Sequence, residues 1–351
     1  MFGAGSGEPR EKNGSDGKEG DELMAAKQFY GTLLAELNIP IDEMEAARDR
    51  RRDLQKILEQ EVGSRVPGTD SFGVGAIAQA TQIRPLNDVD IVLRVPEAPA
   101  NWADHPERAM TDVMSWIGGQ VGGSCATTTH AIKITFPDEE FTADVVVGRK
   151  QEKGILLPHC PKGDSAKWIE SDPQGHRDLV LGRNSRFRDH GRSIFSKQVR
   201  ILKCWNLEQK LRDDRERKPL ASFHVTALAL RILTSPDSFE RWTPRFFEEA
   251  ARLVLSPLKD PSGVGDDIEA LDPAYASECL KTAGEKTARA LDASQEEAEE
   301  ILRDVFGDPK ARGAIVGKGP VSVTPGGALV GGIVAGGRAV KPVRSHGDDR
   351  T

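Results

Sequence analysis

Apolar positions recur at helical spacing in two early stretches, "DELMAAKQFYGTLLAEL" and "IDEMEAARDRRRDLQKILEQEV", and this pattern predicts two helices. In the second, Met44, Ala47, Leu54, Leu58 and Val62 form a stripe that only Arg51 interrupts, and Asp42 followed by Glu45 reads as a capping box at its start. Between Ser71 and Val147 the pattern changes to short β-rich runs, "DIVLRV", "AIKITF" and "FTADVVVG", separated by Pro, Gly and Asn. One further helix, "PERAMTDVMSWIGGQV", lies among them. From about Ser193 the chain turns helical again, through "SIFSKQVRILKCWNLEQKLR", "SFHVTALALRILT", "PRFFEEAARLVL" and "SQEEAEEILRDVF". Helices, a small sheet and helices in that order predict an α+β lobe joined to a helical C-terminal lobe. The division expected is 1–22 disordered, 23–192 the α+β lobe with its N-terminal long helix, 193–310 the helical lobe, and 311–351 a flexible Gly-rich tail.

Composition narrows the classes. The chain has 351 residues and a formal net charge of -7, which argues against generic affinity for nucleic-acid backbones but leaves room for small anionic ligands. Cys125, Cys160, Cys204 and Cys279 are far apart, with no C-x2-C pair, so neither a zinc site nor a disulfide framework is implied. The N-terminal stretch lacks the apolar region of a signal peptide, and "GALVGGIVAGG" is too short to span a bilayer. The expectation is a soluble, cytoplasmic protein without a membrane partner.

Two acids stand out in "DVDIVL". In a strand, residues i and i+2 face the same way, so Asp88 and Asp90 share a face with Val92, while Val89, Ile91 and Leu93 fill the other. "FTADVVVG" repeats the pattern with Asp144 beside Thr142 and Val146. If the two strands are neighbours, three carboxylates converge, and an all-oxygen set of that kind suits Mg2+. Alone, a D-x-D is as readily a solvated strand end. The third acid and the glycine-containing loop upstream turn the reading towards metal.

These residues resemble the DNA polymerase β-like nucleotidyltransferases, and within them the bacterial cyclase-type group, the CD-NTases, relatives of cyclic GMP–AMP synthase and 2′-5′-oligoadenylate synthetase. The family pattern is a Gly-Ser loop, then an acid-x-Asp strand, then a third Asp on another strand. Here Gly75-Ala76 takes the loop position, with alanine where the family has serine, and Asp88, Asp90 and Asp144 follow. "VRILKCWN" resembles the helix whose lysine contacts the donor triphosphate, which maps to Lys203. "LASFHVTALAL" resembles the next helix start, where Ser222 would touch phosphate and Phe223 would stack on the donor base. Read singly, Ser222 is an N-cap, Lys203 a solvated helix lysine and Phe223 a packing residue. "KWIESDPQGH" is also common in the group and carries no assigned role.

The resemblance implies a polymerase β-like fold, two Mg2+ ions held by Asp88, Asp90 and Asp144 (Mn2+ able to substitute), and nucleoside triphosphate substrates. It further implies a cyclic di- or trinucleotide that signals to a downstream effector in anti-phage defence. The absence of a Cys/His cluster disfavours direct activation by DNA. An operon-encoded regulator or conjugation partner is left open, as are a linear or target-modifying transferase and a nucleotide-binding member with weak catalysis.

Overall fold

The computed structural model describes residues 16–309 except 87, 97, 138–140, 190, 191, 214 and 215. The expectations for residues 1–15 and for the tail from 311 lie outside the described residues. The first helix, α1 (Asp16–Glu36), starts inside the stretch whose composition predicts disorder to residue 22. Lysine and glutamate are good helix formers, and acids near a helix N-terminus complement its dipole, so a polar composition there is compatible with helix.

Helix α2 (Ile41–Gly63) buries Met44, Ala47, Leu54, Leu58 and Val62. Its Arg51 fits the stripe because it lies over a glycine, where a Cβ on Gly73 would come within 2.5 Å of the guanidinium. The capping box does not form. Pro40 occupies the N-cap without a side-chain bond, and Asp42 falls in the first turn, where it can act only through the helix dipole.

A seven-stranded mixed sheet follows, built from β1 (Asp70–Val74), β2 (Asp88–Val95), β3 (Ser124–Thr127), β4 (Ile132–Phe136), β5 (Phe141–Lys150), β6 (Ile155–His159) and β7 (Lys167–Ser171). A short helix, α3 (Gly75–Ala78), separates β1 from β2, and α4 (Pro106–Ile117) lies on the route from β2 to β3. The strand order is β1-β2-β5-β4-β3, with β6 pairing the far end of β5 and β7 pairing β6. β2 and β5 run parallel, and the other pairs are antiparallel. Strict alternation then sorts the side chains. Val89, Ile91, Leu93, Ala143, Val145, Val147, Ile132 and Ile134 form one core with the buried faces of α2 and α4. The opposite face carries the smaller cluster of Val74, Val92, Val146, Ile155, Leu157 and Ile169, and on it the acids.

The remaining elements are α5 (Pro173–Arg186), a two-stranded ribbon of β8 (Arg188–Asp189) and β9 (Arg192–Ser193), α6 (Phe195–Arg212), α7 (Ser222–Ile232), α8 (Phe239–Leu253), α9 (Pro273–Arg289) and α10 (Gln295–Phe306). Their core is aromatic, around Phe195, Trp205, Trp242, Phe246, Phe247 and Phe306. α1 belongs to this core through Phe29, Tyr30, Leu33 and Leu34, packing on α6, α8 and α10 rather than on the sheet. The chain therefore does not divide into cores at a single point near residue 192, because the helical lobe takes its first helix from the far N-terminal side of the sheet. Among the described residues no helix is long and apolar enough to cross a membrane.

Candidate active site

Parallel pairing of β2 with β5 sets Asp90 directly beside Asp144 and Asp88 beside Thr142. The two aspartates are 7% and 5% exposed, whereas Asp88, at the start of its strand, opens to solvent while protein walls it on most sides. Neighbouring strands are about 4.8 Å apart, so two carboxylates in register sit at a separation that ionised groups do not adopt cheaply. Burial is the leading effect on Asp144, pushing its carboxyl up to about 6. Lys133 opposes the shift and Asp88 adds to it. Burial likewise raises Asp88, against the pull of Lys133, Lys218 and Lys203. One carboxylate oxygen of Asp144, Oδ1, is buried without a hydrogen-bond partner.

The turn after β1 is built around Asp90. Gly75 has φ +69°, and a Cβ there would lie 1.7 Å from Asp90 Oδ2, so only glycine lets the backbone close onto the carboxylate. Ala76 follows in the first turn of α3 and supplies no hydroxyl. The turn is tied down by amide bonds from Gln79 to Gly75 O (3.1 Å) and from Thr81 to Ala76 O (2.9 Å).

Cations arrive from the helical lobe. Lys203 on α6 donates to Thr81 Oγ1 at 2.9 Å; burial brings its ammonium down to about 8, with Asp90 and Asp88 opposing the fall. Lys218, just before α7, is also lowered by burial, and its charge acts on Asp88. The segment carrying it is pinned by Asn206, which is 2% exposed, donates to Leu220 O at 2.7 Å and accepts from Leu220 N at 3.1 Å. Ser222 is the first residue of α7, after Ala221 at the N-cap, so its hydroxyl is not spent as a cap. Phe223, expected to stack on the donor base, lies in the packing between the lobe's helices. It is 7% exposed, belongs to the helical core, and packs its ring 4.7 Å from that of His176.

The structure thus gathers Gly75, Asp88, Asp90, Asp144 and Lys203 around one face, with Ser222 linked through the α6–α7 connection. Lys133, Lys218 and Thr81 join them without having been singled out in the sequence. A lysine in the middle of "AIKITF" was the available signal for Lys133. Among the described residues no group of three or more His, Cys, Asp or Glu side chains could hold a metal ion on its own. The donor set nevertheless fits Mg2+, which is usually held by one or two carboxylates and completed by water and substrate phosphates. The unpartnered Asp144 Oδ1 beside Asp90 is the atom such an ion would satisfy.

This architecture is shared with solved bacterial structures. The CD-NTase CdnG of Bradyrhizobium diazoefficiens, in complex with GTP, superposes with a TM-score of 0.67 at 15% identity over 83% of this chain and 97% of that one. CdnC of E. coli MS115-1 with ATP gives a TM-score of 0.64 at 16% identity, covering 82% and 98%. The Vibrio cholerae cyclic AMP-GMP synthase DncV, bound to the linear intermediate 5′ pppA(3′,5′)pG, gives 0.54 at 15% identity, covering 82% and 81%. No protein-family model and no curated protein matches the sequence. At these identities the likeness is one of fold, and the fold is that of the CD-NTases.

Proposed function

We propose that this chain is a nucleotidyltransferase that joins nucleoside triphosphates into a cyclic di- or trinucleotide. The observation that carries the reading is the register of Asp90 with Asp144 on parallel strands, with the Gly75 backbone closed onto Asp90. In this reading Asp88, Asp90 and Asp144 hold divalent ions, which when bound supply charge neutralisation at the phosphates undergoing transfer. The Gly75-Ala76 turn, Lys203 and Ser222 hold the donor triphosphate and fix its α-phosphate over the acids. A ribose hydroxyl of the acceptor, aligned at Asp144, attacks that phosphorus while pyrophosphate leaves. The hydroxyl proton passes to the Asp144 carboxylate. A second transfer within the linked nucleotide closes the ring. By its resemblance to the CD-NTases, the product would act as a second messenger in anti-phage signalling.

Incubation with the four nucleoside triphosphates and Mg2+ or Mn2+ should yield nuclease-resistant products identifiable by mass. The Asp88→Ala/Asp90→Ala double variant should yield none. Product persisting in that variant would sink the metal assignment, and linear or protein-linked product alone would replace cyclisation with one of the alternative transferase readings.

A further inference from the structure

Lys203 and the Gly75-Ala76 turn belong to different lobes, and one side chain joins them. Thr81, wholly buried, follows the turn: its amide donates to Ala76 O at 2.9 Å, and its hydroxyl accepts from Lys203 Nζ at 2.9 Å. The residue before it, Ala80, takes φ +57°, in the left-handed region that a Cβ disfavours. Strain of that kind persists where the surroundings over-determine it, and here it turns the chain back so that Thr81 meets Ala76.

The bond to Lys203 is not what holds this segment. Ile83 packs against the helical core, and Arg84 pairs with Glu43 at 3.1 Å. Being wholly buried, the Thr81 hydroxyl cannot itself reach a nucleotide, so its effect on binding must run through the lysine. A lysine carries its charge on a flexible four-carbon stem and offers three N–H donors. A threonine is stiff at χ1, so one N–H fixed on Thr81 sets the ammonium in place and leaves two for phosphate. The turn has no side-chain donor of its own at Ala76.

We propose that Thr81 is a positioning residue for donor binding: its hydroxyl fixes the Lys203 ammonium beside the Gly75-Ala76 turn, so that a cation held at one point makes up for the hydroxyl that position 76 lacks. The inference rests on the nucleotidyltransferase reading and adds to it a residue that touches no substrate. It makes donor affinity depend on a bond between the lobes as well as on the groups that meet phosphate.

The test is a double-mutant cycle on the full chain, titrated at equilibrium with Mg2+ and a non-hydrolysable ATP analogue and followed in turnover. Thr81→Val keeps the branched shape without the hydroxyl. It should weaken analogue binding about tenfold and raise the half-saturating nucleoside triphosphate concentration alike, with the maximal rate within about twofold of the parent. Thr81→Ser should restore both affinities. In a Lys203→Met background, Thr81→Val should weaken binding no further. If Thr81→Val does not fold, Thr81→Ala runs the same cycle. Unchanged binding in Thr81→Val, an equal further loss on top of Lys203→Met, or a Thr81→Ser as weak as Thr81→Val would overturn the proposal and leave the nucleotidyltransferase reading intact. The expected cycle without pyrophosphate release would remove catalysis and leave the positioning role standing.

Discussion

Two buried aspartates, one in each lobe, are treated in opposite ways. Asp260, in the loop after α8, is 7% exposed, yet its carboxyl is held well below the ordinary range. Burial alone would raise it, but hydrogen bonds from His176 and Ser262, the His176 charge and the Gly265 amide outweigh that effect. His176 Nε2 lies 2.5 Å from Oδ1, while the Val264 and Gly265 amides reach Oδ2 at 3.2 and 3.0 Å. Asp144 is as deeply buried, and its carboxyl is pushed the other way, to about 6, with Oδ1 unpartnered. A saturated carboxylate is a structural part. One left buried and short of partners costs the fold stability.

The same contrast explains the "KWIESDPQGH" segment. Asp172 caps α5 by accepting from Gly175 N at 2.8 Å, and Gly175 must be glycine because a Cβ would meet that carboxylate at 2.1 Å. The cap aims His176 at Asp260, while Gly265 comes against the Glu170 carbonyl of β7. The segment therefore ties the loop after α8 to the edge of the sheet, through bonds that are complete without any ligand.

The largest expected effect on folding is at Asp260. Asp260→Asn removes the charge that four donors converge on and should destabilise the protein by about 4 kcal/mol in urea unfolding. Because its folded carboxyl is depressed, the contribution of Asp260 is full above about pH 4 and is lost as pH falls further. A variant as stable as the parent would erase the contrast between the lobes. Asp144→Asn should do the reverse, stabilising the metal-free protein at pH 7 by up to about 3 kcal/mol while abolishing turnover. Here the sign is opposite: the folded state keeps a proton that the unfolded chain has released, so stability falls as pH rises from about 4 through 6. That slope should flatten in Asp144→Asn, and an unchanged slope in the melting temperature would show that Asp144 is already satisfied. The smallest effect is expected at Ala76. Ala76→Ser restores one donor to a charged phosphate, about 2 kcal/mol, and should lower the concentration of nucleoside triphosphate giving half-maximal rate. No change would mean that the turn holds phosphate through its backbone alone.

What the sequence revealed follows its periodicities. The strands bearing Asp88, Asp90 and Asp144 and the helices α2, α4, α6, α7 and α10 announce themselves through alternation or through 3.6-residue spacing. α9 does not, because its buried face is made of Ala276, Ala283, Gly284 and Thr287 around one Leu280, packing closely on α8. α5 is hidden by two glycines and a run of polar residues, and is revealed only by its Asp172-Pro173 start. The swap of α1 into the helical core, the nearness of Lys133 to Asp144 and the burial of Phe223 against His176 depend on contacts between distant segments. No local pattern encodes these. Phe223 is the instructive case: motif order marks it for a base, and no local pattern shows that its ring also packs beside His176 in the helical core.

Parallel pairing of β2 and β5 also bears on how much this chain can change in length. The acids meet because two strands enter the sheet side by side at the same end, while the connection between them runs through α4, β3 and β4. Residues gained or lost in the exposed turns of that connection leave the register of Asp90 with Asp144 intact. One residue inserted between Asp88 and Val92 would turn every following side chain to the other face. Drift in loop length is therefore tolerated across roughly fifty residues of sequence and forbidden within five, and relatives of this chain can differ widely between the two strands while remaining unchanged inside them.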